Sequence, residues 1–177
     1  ISNIKEMEDK GASAVVLYSL FEEEIRKEQE ALNHFLVKDA ESYSEAMSYF
    51  PNLGTFSIGP EGYLEHIQKA KSAVEIPIIA SLNGVTTGGW VSYAKRIEEA
   101  GADGLELNVY FLATDPSHTG ADIEKLYVDI LKDVKAAVKI PVAMKLHPFF
   151  ASLANMAQQL DGAGADALVL FNRFYQP

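Results

Sequence analysis

Short apolar runs alternate with amphipathic stretches along most of the chain. Nearly continuous apolar runs begin near residues 14, 77, 104, 141 and 166. Between them, apolar residues recur at helical spacing in the stretches 62–74, 86–100, 121–138 and 151–163, and the chain opens in a further helical stretch from Asn3 to Lys10. Short apolar strands separated by helices predict a parallel sheet that is buried on both faces.

Two kinds of strand start alternate along the sequence. Strands of the first kind follow a Gly-Ala turn at Gly11, Gly101 and Gly164, and those of the second kind begin with Ile-Pro at Pro77 and Pro141. Glycine closes a helix well in the left-handed conformation, and proline suits the first residue of a strand. A repeated two-unit β/α module favours a (β/α)₈ TIM barrel. The alternative, a Rossmann sheet, lacks a Gly-x-Gly-x-x-Gly after any strand.

The strand count predicts part of a barrel. Five strands are visible, whereas a barrel has eight strands over roughly 250 residues. We therefore expect residues 1–177 to be the central part of a single TIM-barrel domain, holding about strands 2 to 6. One strand would precede residue 1 and two would follow residue 177. The segment 21–61 is the longest insertion, and a segment of that length after a barrel strand typically lies over the active-site mouth.

Composition narrows the class of protein. The chain is 48% hydrophobic and 23% charged, as expected of a folded soluble protein. Its net charge of −10 argues against a nucleic-acid partner. No apolar run approaches the roughly 20 residues that cross a membrane, and the absence of cysteine suits the cytoplasm. We expect a small-molecule substrate, and the protein could form a homodimer. We also expect the acidic run from Glu22 to Glu24 to form a solvated helix face.

The predicted strand ends carry the polar residues that could perform chemistry, because barrel active sites lie at the carboxyl ends of the strands. Strand periodicity places Glu106, Asn108 and Tyr110 on one face, and Lys145 and His147 on one face. A lysine in an otherwise apolar strand is costly unless it is paired. Lys145 therefore forms either a structural ion pair with Glu106 or a cation that faces a negatively charged ligand.

Here the sequence resembles a known family. Glu106-Leu107-Asn108 on one strand, the run Val142-Ala143-Met144-Lys145-Leu146-His147-Pro148-Phe149-Phe150 on the next, and Asn172 at the end of the last are similar to the flavin-dependent dihydroorotate dehydrogenases. The resemblance implies FMN as cofactor, with Ser19 and Lys145 as flavin contacts. It also implies that Asn108 and Asn172 hold an orotate-like substrate. The flavin phosphate would use strands seven and eight.

The sequence departs from that family on the substrate side. Tyr18 stands where the family has a lysine, Phe111 stands at the position of the cysteine or serine base, and Ala113 stands at the position of a second asparagine. The insertion offers no match for a further asparagine near 47–52. Phenylalanine cannot accept a proton. The replacement bases that the sequence offers are Tyr110, Asp115 and His118. No His, Asp or Glu cluster has metal-ligand spacing, so we expect no metal.

Three functions follow from these residues. The first is an FMN-dependent oxidoreductase of pyrimidine-biosynthesis type, acting on a CH–CH group of a dihydroorotate-like substrate. The second is a non-redox lyase or aldolase, in which Lys145 is a Schiff-base nucleophile. The third is a barrel that binds flavin without catalysis. A flavin absorption spectrum separates the first from the second.

Overall fold

The computed structural model describes residues 1–23, 60–84, 86–109, 111 and 114–172. Helices and strands alternate through this part of the chain. In order they are α1 (Ser2–Asp9), β1 (Val15–Phe21), α2 (Pro60–Lys71), β2 (Ile78–Asn83), α3 (Thr87–Glu99), β3 (Gly104–Asn108), α4 (Gly120–Ala137), β4 (Val142–Leu146), α5 (Leu153–Gly162) and β5 (Ala167–Leu170). Each strand begins at its predicted position or one residue later. None of the described helices is both long and apolar enough to cross a membrane.

The strands form one parallel sheet in the order β1-β2-β3-β4-β5. Neighbours in the sheet are therefore neighbours in the sequence, and each crossover passes through a helix. A doubly wound sheet reverses its strand order at a switch point, and the described sheet has no reversal. This sequential parallel order is that of a barrel wall, which confirms the predicted fold class for the described residues.

The helices cover one face of the sheet and bury its apolar side chains. On β4, Val142, Met144 and Leu146 are completely buried, while the alternating Ala143 and Lys145 are partly exposed. In α4, the residues that face the core are spaced three and four apart; they are Tyr127, Ile130, Leu131 and Val134. A capping box between Thr119 and Asp122 closes the start of this helix. The core therefore lies between sheet and helices, and the opposite face is left for polar residues.

The outer strands of the described sheet carry exposed apolar side chains. Val16 and Tyr18 on β1 are 50% and 53% exposed, and Leu170 on β5 is 55% exposed. The inner strands β2 and β3 carry no large hydrophobic side chain that is comparably exposed. Within the described residues, β1 and β5 each have a neighbour on one side only, so their other edges are open.

The two-unit repeat is visible in hydrogen bonds as well as in sequence. Glu8 in α1 accepts from the two backbone N–H groups that precede Pro77, at 2.7 and 3.1 Å. Glu98 in α3 accepts from the two that precede Pro141, at the same two distances. In both repeats, a glutamate near the end of a helix thus accepts from the backbone that leads into an Ile-Pro strand. Glu8 of α1 does so for β2, and Glu98 of α3 does so for β4.

A second repeated contact follows the Gly-Ala turns. The aspartate after the turn accepts a hydrogen bond from the first strand N–H after proline and from a helix lysine. These contacts join Asp103 to Ile78 and Lys71, and Asp166 to Val142 and Lys135. Burial alone would raise the pKa of Asp103, but the bonds from Lys71 and the Ile78 N–H outweigh it and lower that pKa below its ordinary value. The Lys135 and Val142 bonds lower the pKa of Asp166 in the same direction.

The glycines that end the helices have the predicted conformation. Gly11, Gly101 and Gly164 have φ values of 90°, 92° and 96°. Other residues adopt this left-handed region only with strain, and nothing else crowds the Gly11 and Gly101 positions. Backbone conformation, rather than lack of space, therefore explains why glycine stands there.

The prediction of a solvated acidic face is wrong for Glu22. Its side chain is 4% exposed and accepts from the backbone N–H of Thr86 at 3.0 Å and from the Thr86 hydroxyl at 2.8 Å. A Cβ at Gly89 would lie 2.2 Å from the Glu22 carboxylate, so only glycine leaves room for it. The partial positive charge at the start of α3 favours a carboxylate there. Trp90, in the same turn, is buried, at 3% exposure.

We predict that Asp103→Asn destabilises the protein by about 1–2 kcal/mol at neutral pH, because it weakens two charge-assisted hydrogen bonds at a partly exposed site. Since the pKa of Asp103 is lowered in the fold, its contribution is present above its ordinary pKa and is lost as the pH falls through the folded-state pKa. Urea unfolding at neutral and acidic pH measures the difference.

The exposed Asp133 supplies the matched control, since Asp133→Asn makes the same chemical change on the solvent side of α4. We expect that control to match the parent at both pH values. Equal stability of Asp103→Asn and the parent at neutral pH would show that the repeated aspartate contact contributes nothing.

Candidate functional site

Sheet register places the polar side chains side by side. Ser19, Ser81 and Glu106 stand opposite one another across β1, β2 and β3. Two residues beyond Glu106 on β3, towards the carboxyl end of the strand, Asn108 stands opposite Lys145 on β4. Because register partners point to the same face of a parallel sheet, these five side chains form one polar surface on the face that the helices do not cover.

An irregularity in β1 brings Ser19 into this row. The pairing with β2 runs from Val16 opposite Ile79 to Ser19 opposite Ser81, so β1 advances three residues while β2 advances two. A regular ladder would instead have placed Tyr18 opposite Ser81. One extra residue in a strand moves the following side chains to the other face. The bulge therefore replaces a bulky phenol with a small hydroxyl at this position.

Tyr63 of α2 fills the gap that the bulge leaves in the ladder. Its hydroxyl donates to the Ser81 carbonyl at 3.1 Å and accepts from the Ser81 N–H at 2.9 Å. The side chain is completely buried, and burial raises the pKa of Tyr63 far above its ordinary value, so the phenol stays protonated. A single hydroxyl thus satisfies both backbone groups of Ser81.

Hydrogen bonds join the polar side chains into one chain. The Ser81 hydroxyl donates to Glu106 Oε1 at 2.9 Å, and the Ser19 and Ser81 oxygens lie 2.7 Å apart. Asn108 Nδ2 donates to Ser19 at 3.2 Å, and Asn172 Nδ2 donates to Asn108 Oδ1 at 2.8 Å. Among the described residues, no buried side-chain nitrogen or oxygen lacks a partner. The buried groups of this chain are all bonded, which favours a single arrangement.

Lys145 adds the positive charge of the site. Its Nζ lies 3.3 Å from Glu106 Oε1, so the ion pair that the sequence allowed is present. The Glu106 side chain is 5% exposed and the Lys145 side chain 25% exposed. An ammonium has three N–H donors, and within the described part of the chain only Glu106 accepts from Lys145. Two donors therefore remain available to a ligand.

The structure brings together four of the predicted site residues. Ser19, Asn108, Lys145 and Asn172 belong to one bonded set, although they come from four strands or strand ends. Asn172 is held at the end of β5 by its backbone N–H, which donates to the Leu146 carbonyl at 2.6 Å. Asn83, which ends β2, forms no hydrogen bond with this set.

Two of the three proposed replacement bases, Asp115 and His118, form no hydrogen bond with this bonded set. The Asp115 carboxylate accepts from the backbone and hydroxyl of Ser117, and these bonds lower its pKa. His118 Nδ1 lies 3.8 Å from that carboxylate, and both side chains are more than half exposed. They form a local turn before α4. Tyr110, the third candidate, lies outside the described residues.

The positions of the family departures are only partly described. Phe111 follows β3 and is 41% exposed. Ala113, and the insertion from residue 24 to residue 59 with its segment 47–52, lie outside the described residues. Of the predicted insertion 21–61, Phe21 ends β1, residues 22–23 are helical, and residues 60–61 begin α2.

His147 turns towards the helix layer. Its ring stacks on Phe150, with centroids 4.3 Å apart, and meets Tyr127 of α4 edge-on at 5.9 Å. Its Nδ1 accepts from the Phe149 N–H at 3.0 Å, and burial lowers the pKa of His147. Neutral His147 with Nδ1 occupied carries its proton on Nε2. It is therefore a hydrogen-bond donor and not a ready base.

Sequence reasoning missed two residues of the site. Ser81 appears in the sequence only as a strand-end residue, although a hydroxyl inside the apolar run Ile78–Leu82 is a signal that the strand faces something polar. Tyr63 carries no such signal, because its spacing in α2 is that of an ordinary core residue. Within the described residues, no group of three or more His, Cys, Asp or Glu could hold a metal.

Comparison with known proteins identifies the family. The family model for dihydroorotate dehydrogenase matches residues 43–174. The chain is 33% identical over 123 residues to the dihydroorotate dehydrogenase B (NAD(+)) catalytic subunit of Methanothermobacter thermautotrophicus, covering 68% of this chain and 39% of that protein. It is 30% identical over 174 residues to the catalytic subunit of the same name from Thermoplasma volcanium, covering 96% and 52%. The chain thus spans about half or less of these relatives.

Solved structures support the fold. Dihydrodipicolinate synthase from Aquifex aeolicus superposes with a TM-score of 0.55 at 17% identity, covering 91% of this chain and 44% of that one. A putative phosphonomutase from Burkholderia cenocepacia gives 0.54 at 16%, covering 94% and 63%. At such identities the similarity is one of fold and carries no argument about activity.

We predict that Tyr63→Phe destabilises the protein by about 2–4 kcal/mol, because it leaves a buried N–H and a buried carbonyl of Ser81 unsatisfied, each at a cost of about 1–3 kcal/mol. Chemical unfolding measures this loss. Tyr93→Phe is the matched control, since the Tyr93 hydroxyl makes no hydrogen bond to the described residues, and we expect it to change stability little. Similar stabilities for the two variants would refute the structural role of the Tyr63 hydroxyl.

Proposed function

The chain belongs to the dihydroorotate dehydrogenase family, and from this premise we propose that it forms the central part of an FMN-dependent oxidoreductase that oxidises a dihydroorotate-like substrate. The observation that carries the proposal is the bonded set of Ser19, Asn108, Lys145 and Asn172 at the carboxyl ends of the strands. These are the residues to which the family resemblance assigns flavin and substrate contacts. Their convergence is what a shared binding site requires.

The residues present fit a flavin. Lys145 offers two N–H donors on a partly exposed side chain, and Ser19 is a half-buried hydroxyl in the adjacent part of the same network. A cation next to the ring would stabilise the negative charge of reduced flavin, and the bound cofactor would supply the hydride acceptor. We propose that Lys145 and Ser19 orient the ring, and that the buried Glu106 holds the Lys145 ammonium in place.

The asparagines fit a small polar ring on the same surface. Asn172 is partly exposed, and Asn108 lies behind it at 8% exposure. Amides offer both a donor and an acceptor, which suits the alternating N–H and C=O groups of a dihydropyrimidine. We propose that Asn172 contacts the substrate directly, and that Asn108 both supports it and reaches the substrate edge.

The chemical step is where the proposal differs from the family pattern. Oxidation of dihydroorotate removes a hydride and a carbon-bound proton, and a positioned base typically contributes 10²–10⁴-fold. Phe111 stands at the base position, and neither Asp115 nor His118 lies among the bonded site residues. The site as described therefore supports ligand orientation and hydride transfer better than proton removal.

The lyase or aldolase alternative rests on Lys145 as a nucleophile. A Schiff base needs an amine that is free to reach the substrate carbonyl, whereas the Lys145 Nζ is held 3.3 Å from the Glu106 carboxylate. This contact favours the oxidoreductase. Borohydride trapping of a carbonyl substrate on Lys145 would reverse that preference. The third function, flavin binding without catalysis, draws its support from Phe111.

The electron acceptor and the assembly are parts of the same proposal. The relatives are named NAD(+) enzymes and catalytic subunits, and we propose NAD⁺ as the oxidant that finally receives the electrons. A homodimer and a cytoplasmic location stay predictions from the sequence.

We predict that the protein binds FMN and that Lys145→Ala weakens this binding roughly ten- to a hundredfold, because a charged hydrogen-bond partner is worth about 1.5–3 kcal/mol. Titration followed by flavin fluorescence measures the affinity. Lys132→Ala, which removes an exposed lysine from α4, should bind FMN as the parent does.

Lys145→Ala leaves the Glu106 carboxylate without its cation, so the double variant Lys145→Ala/Glu106→Gln separates lost flavin contact from repulsion by the carboxylate. We expect the double variant to bind FMN more tightly than Lys145→Ala and more weakly than the parent. If Lys145→Ala binds FMN as tightly as the parent does, Lys145 is not a cofactor contact.

We predict that dihydroorotate reduces the bound flavin at least ~100-fold more slowly than in a family member that has the cysteine or serine base. Anaerobic stopped-flow absorbance measures the rate. Phe111→Ser should raise that rate only in part, because Ala113 cannot form the hydrogen bond that an asparagine at its position would give the substrate. Rapid bleaching in the unmodified protein would show that another residue serves as base, and His118→Ala and Asp115→Asn would then identify it.

A further inference from the structure

We propose that Glu106 is a positioning residue that sets the donor and acceptor direction of both site asparagines, acting through Ser81 and Ser19. As a result, Asn172 presents its carbonyl oxygen, and not its NH₂ group, to the ligand. The part of this inference that concerns the ligand rests on the proposed function. The part that concerns the protein's own hydrogen bonds does not.

The direction of the chain begins at the carboxylate. Ionised Glu106 can only accept hydrogen bonds, and its Oε1 receives Lys145 at 3.3 Å and the Ser81 hydroxyl at 2.9 Å. A serine hydroxyl has one hydrogen to donate. Because Ser81 gives that hydrogen to Glu106, it can only accept in the contact with Ser19.

The same reasoning then runs through Ser19. Ser19 lies 2.7 Å from Ser81 and must be the donor in that contact. Its single hydrogen is thereby used, so the group of Asn108 that faces it at 3.2 Å has to be a donor. Of the two ends of an amide, only the NH₂ group donates. The Asn108 side chain is therefore held with its nitrogen towards Ser19 and its oxygen towards Asn172.

Asn172 is the last member of the chain. It meets the Asn108 oxygen at 2.8 Å and must donate to it through Nδ2. Its own Oδ1 then points away from the chain, and among the described residues that oxygen has no hydrogen-bond partner. The side chain is partly exposed. An acceptor oxygen is thus what the polar surface offers at this position.

Burial makes the direction hard to reverse. Glu106 is 4%, Ser81 1% and Asn108 8% exposed, so water cannot replace a lost partner. Reversing any one of these bonds would leave the carboxylate without its serine donor, or would place two donors or two acceptors against each other. Unpartnered polar groups in such surroundings are costly. One buried charge therefore orients four uncharged side chains that it does not all touch.

The consequence concerns the ligand. A carbonyl acceptor at Asn172 selects a ligand with an N–H at the matching edge, as in a cyclic amide or imide. It disfavours an analogue in which that edge is a ring acceptor or carries a methyl group, because the Asn172 oxygen would then face no donor.

Neutron diffraction on the ligand-free protein tests the direction itself. We expect the Ser81 deuterium on the Glu106 side, the Ser19 deuterium on the Ser81 side, and both asparagine ND₂ groups oriented as above. A Ser19 deuterium that points at Asn108, or a deuterium on the Glu106 carboxylate, would overturn the proposal whatever the ligand is.

Ser81→Ala tests the consequence, because it cuts the chain between Glu106 and Ser19 and leaves the Lys145–Glu106 pair untouched. The probes are orotate and its two ring N-methyl derivatives, and their binding to the FMN-loaded protein is followed by the change in flavin absorbance. We expect the parent to bind orotate better than at least one N-methyl derivative. We expect Ser81→Ala to weaken orotate binding about tenfold and to leave the rejected derivative unchanged, so that the discrimination collapses.

A merely structural role for Ser81 would weaken all probes by the same factor, and that result would overturn the proposal. Ser72→Ala, which removes an exposed serine hydroxyl bonded to a helix carbonyl, is the control and should match the parent. Ser19→Ala cuts the chain one bond further along, at a half-buried position, and should reproduce the loss of discrimination if Ser81→Ala does not fold. Failure of the parent to bind orotate would refute the proposed substrate, and the neutron result alone would then decide the direction of the chain.

Discussion

The double hydrogen bond between the Tyr63 hydroxyl and the backbone of Ser81 is the interaction on which the site depends. The bulge in β1 aligns Ser19 with Ser81, but it also removes a regular ladder partner from β2. A buried backbone N–H and carbonyl need replacements, and one phenol supplies both. In a regular register Tyr18, and not Ser19, would stand opposite Ser81. Fold and site are thus joined at a single side chain of the helix layer.

A second tyrosine serves the neighbouring strand in a similar way. Tyr127 of α4 is completely buried and donates to the Val109 carbonyl at 3.2 Å, directly after Asn108. In both cases, a helix side chain bonds to the backbone beside a site residue. The polar surface is therefore held from behind by the outer layer, while its own side chains bond to one another in front. Such support from rigid elements is what a binding site needs in order to keep its geometry.

The site residues that match the family resemblance are polar, whereas those that depart from it are mostly apolar. Charged and amide groups come from β3, β4 and the end of β5, where the family resemblance places flavin and substrate contacts. Phe111, which stands where the family resemblance places the base, is exposed and cannot accept a proton. Burying an ion pair such as Lys145 and Glu106 rarely stabilises a fold more than an apolar pair would. Stability alone is therefore a weak explanation for this pair, which fits the proposed role of Lys145 in ligand binding.

The sequence by itself determined the elements, their order and most of the polar side chains of the site. The Gly-Ala turns and the Ile-Pro strand starts are local backbone signals, so the strand starts could be predicted to within one residue. Strand periodicity likewise placed Glu106 and Asn108 on one face. Tertiary structure alone decided the bulge in β1, the insertion of Tyr63 into the ladder, the burial of Glu22 against α3 and the turning of His147 towards Tyr127. Each of these is a contact between residues far apart in the sequence, and no local pattern of hydrophobicity records which distant backbone group a side chain will satisfy.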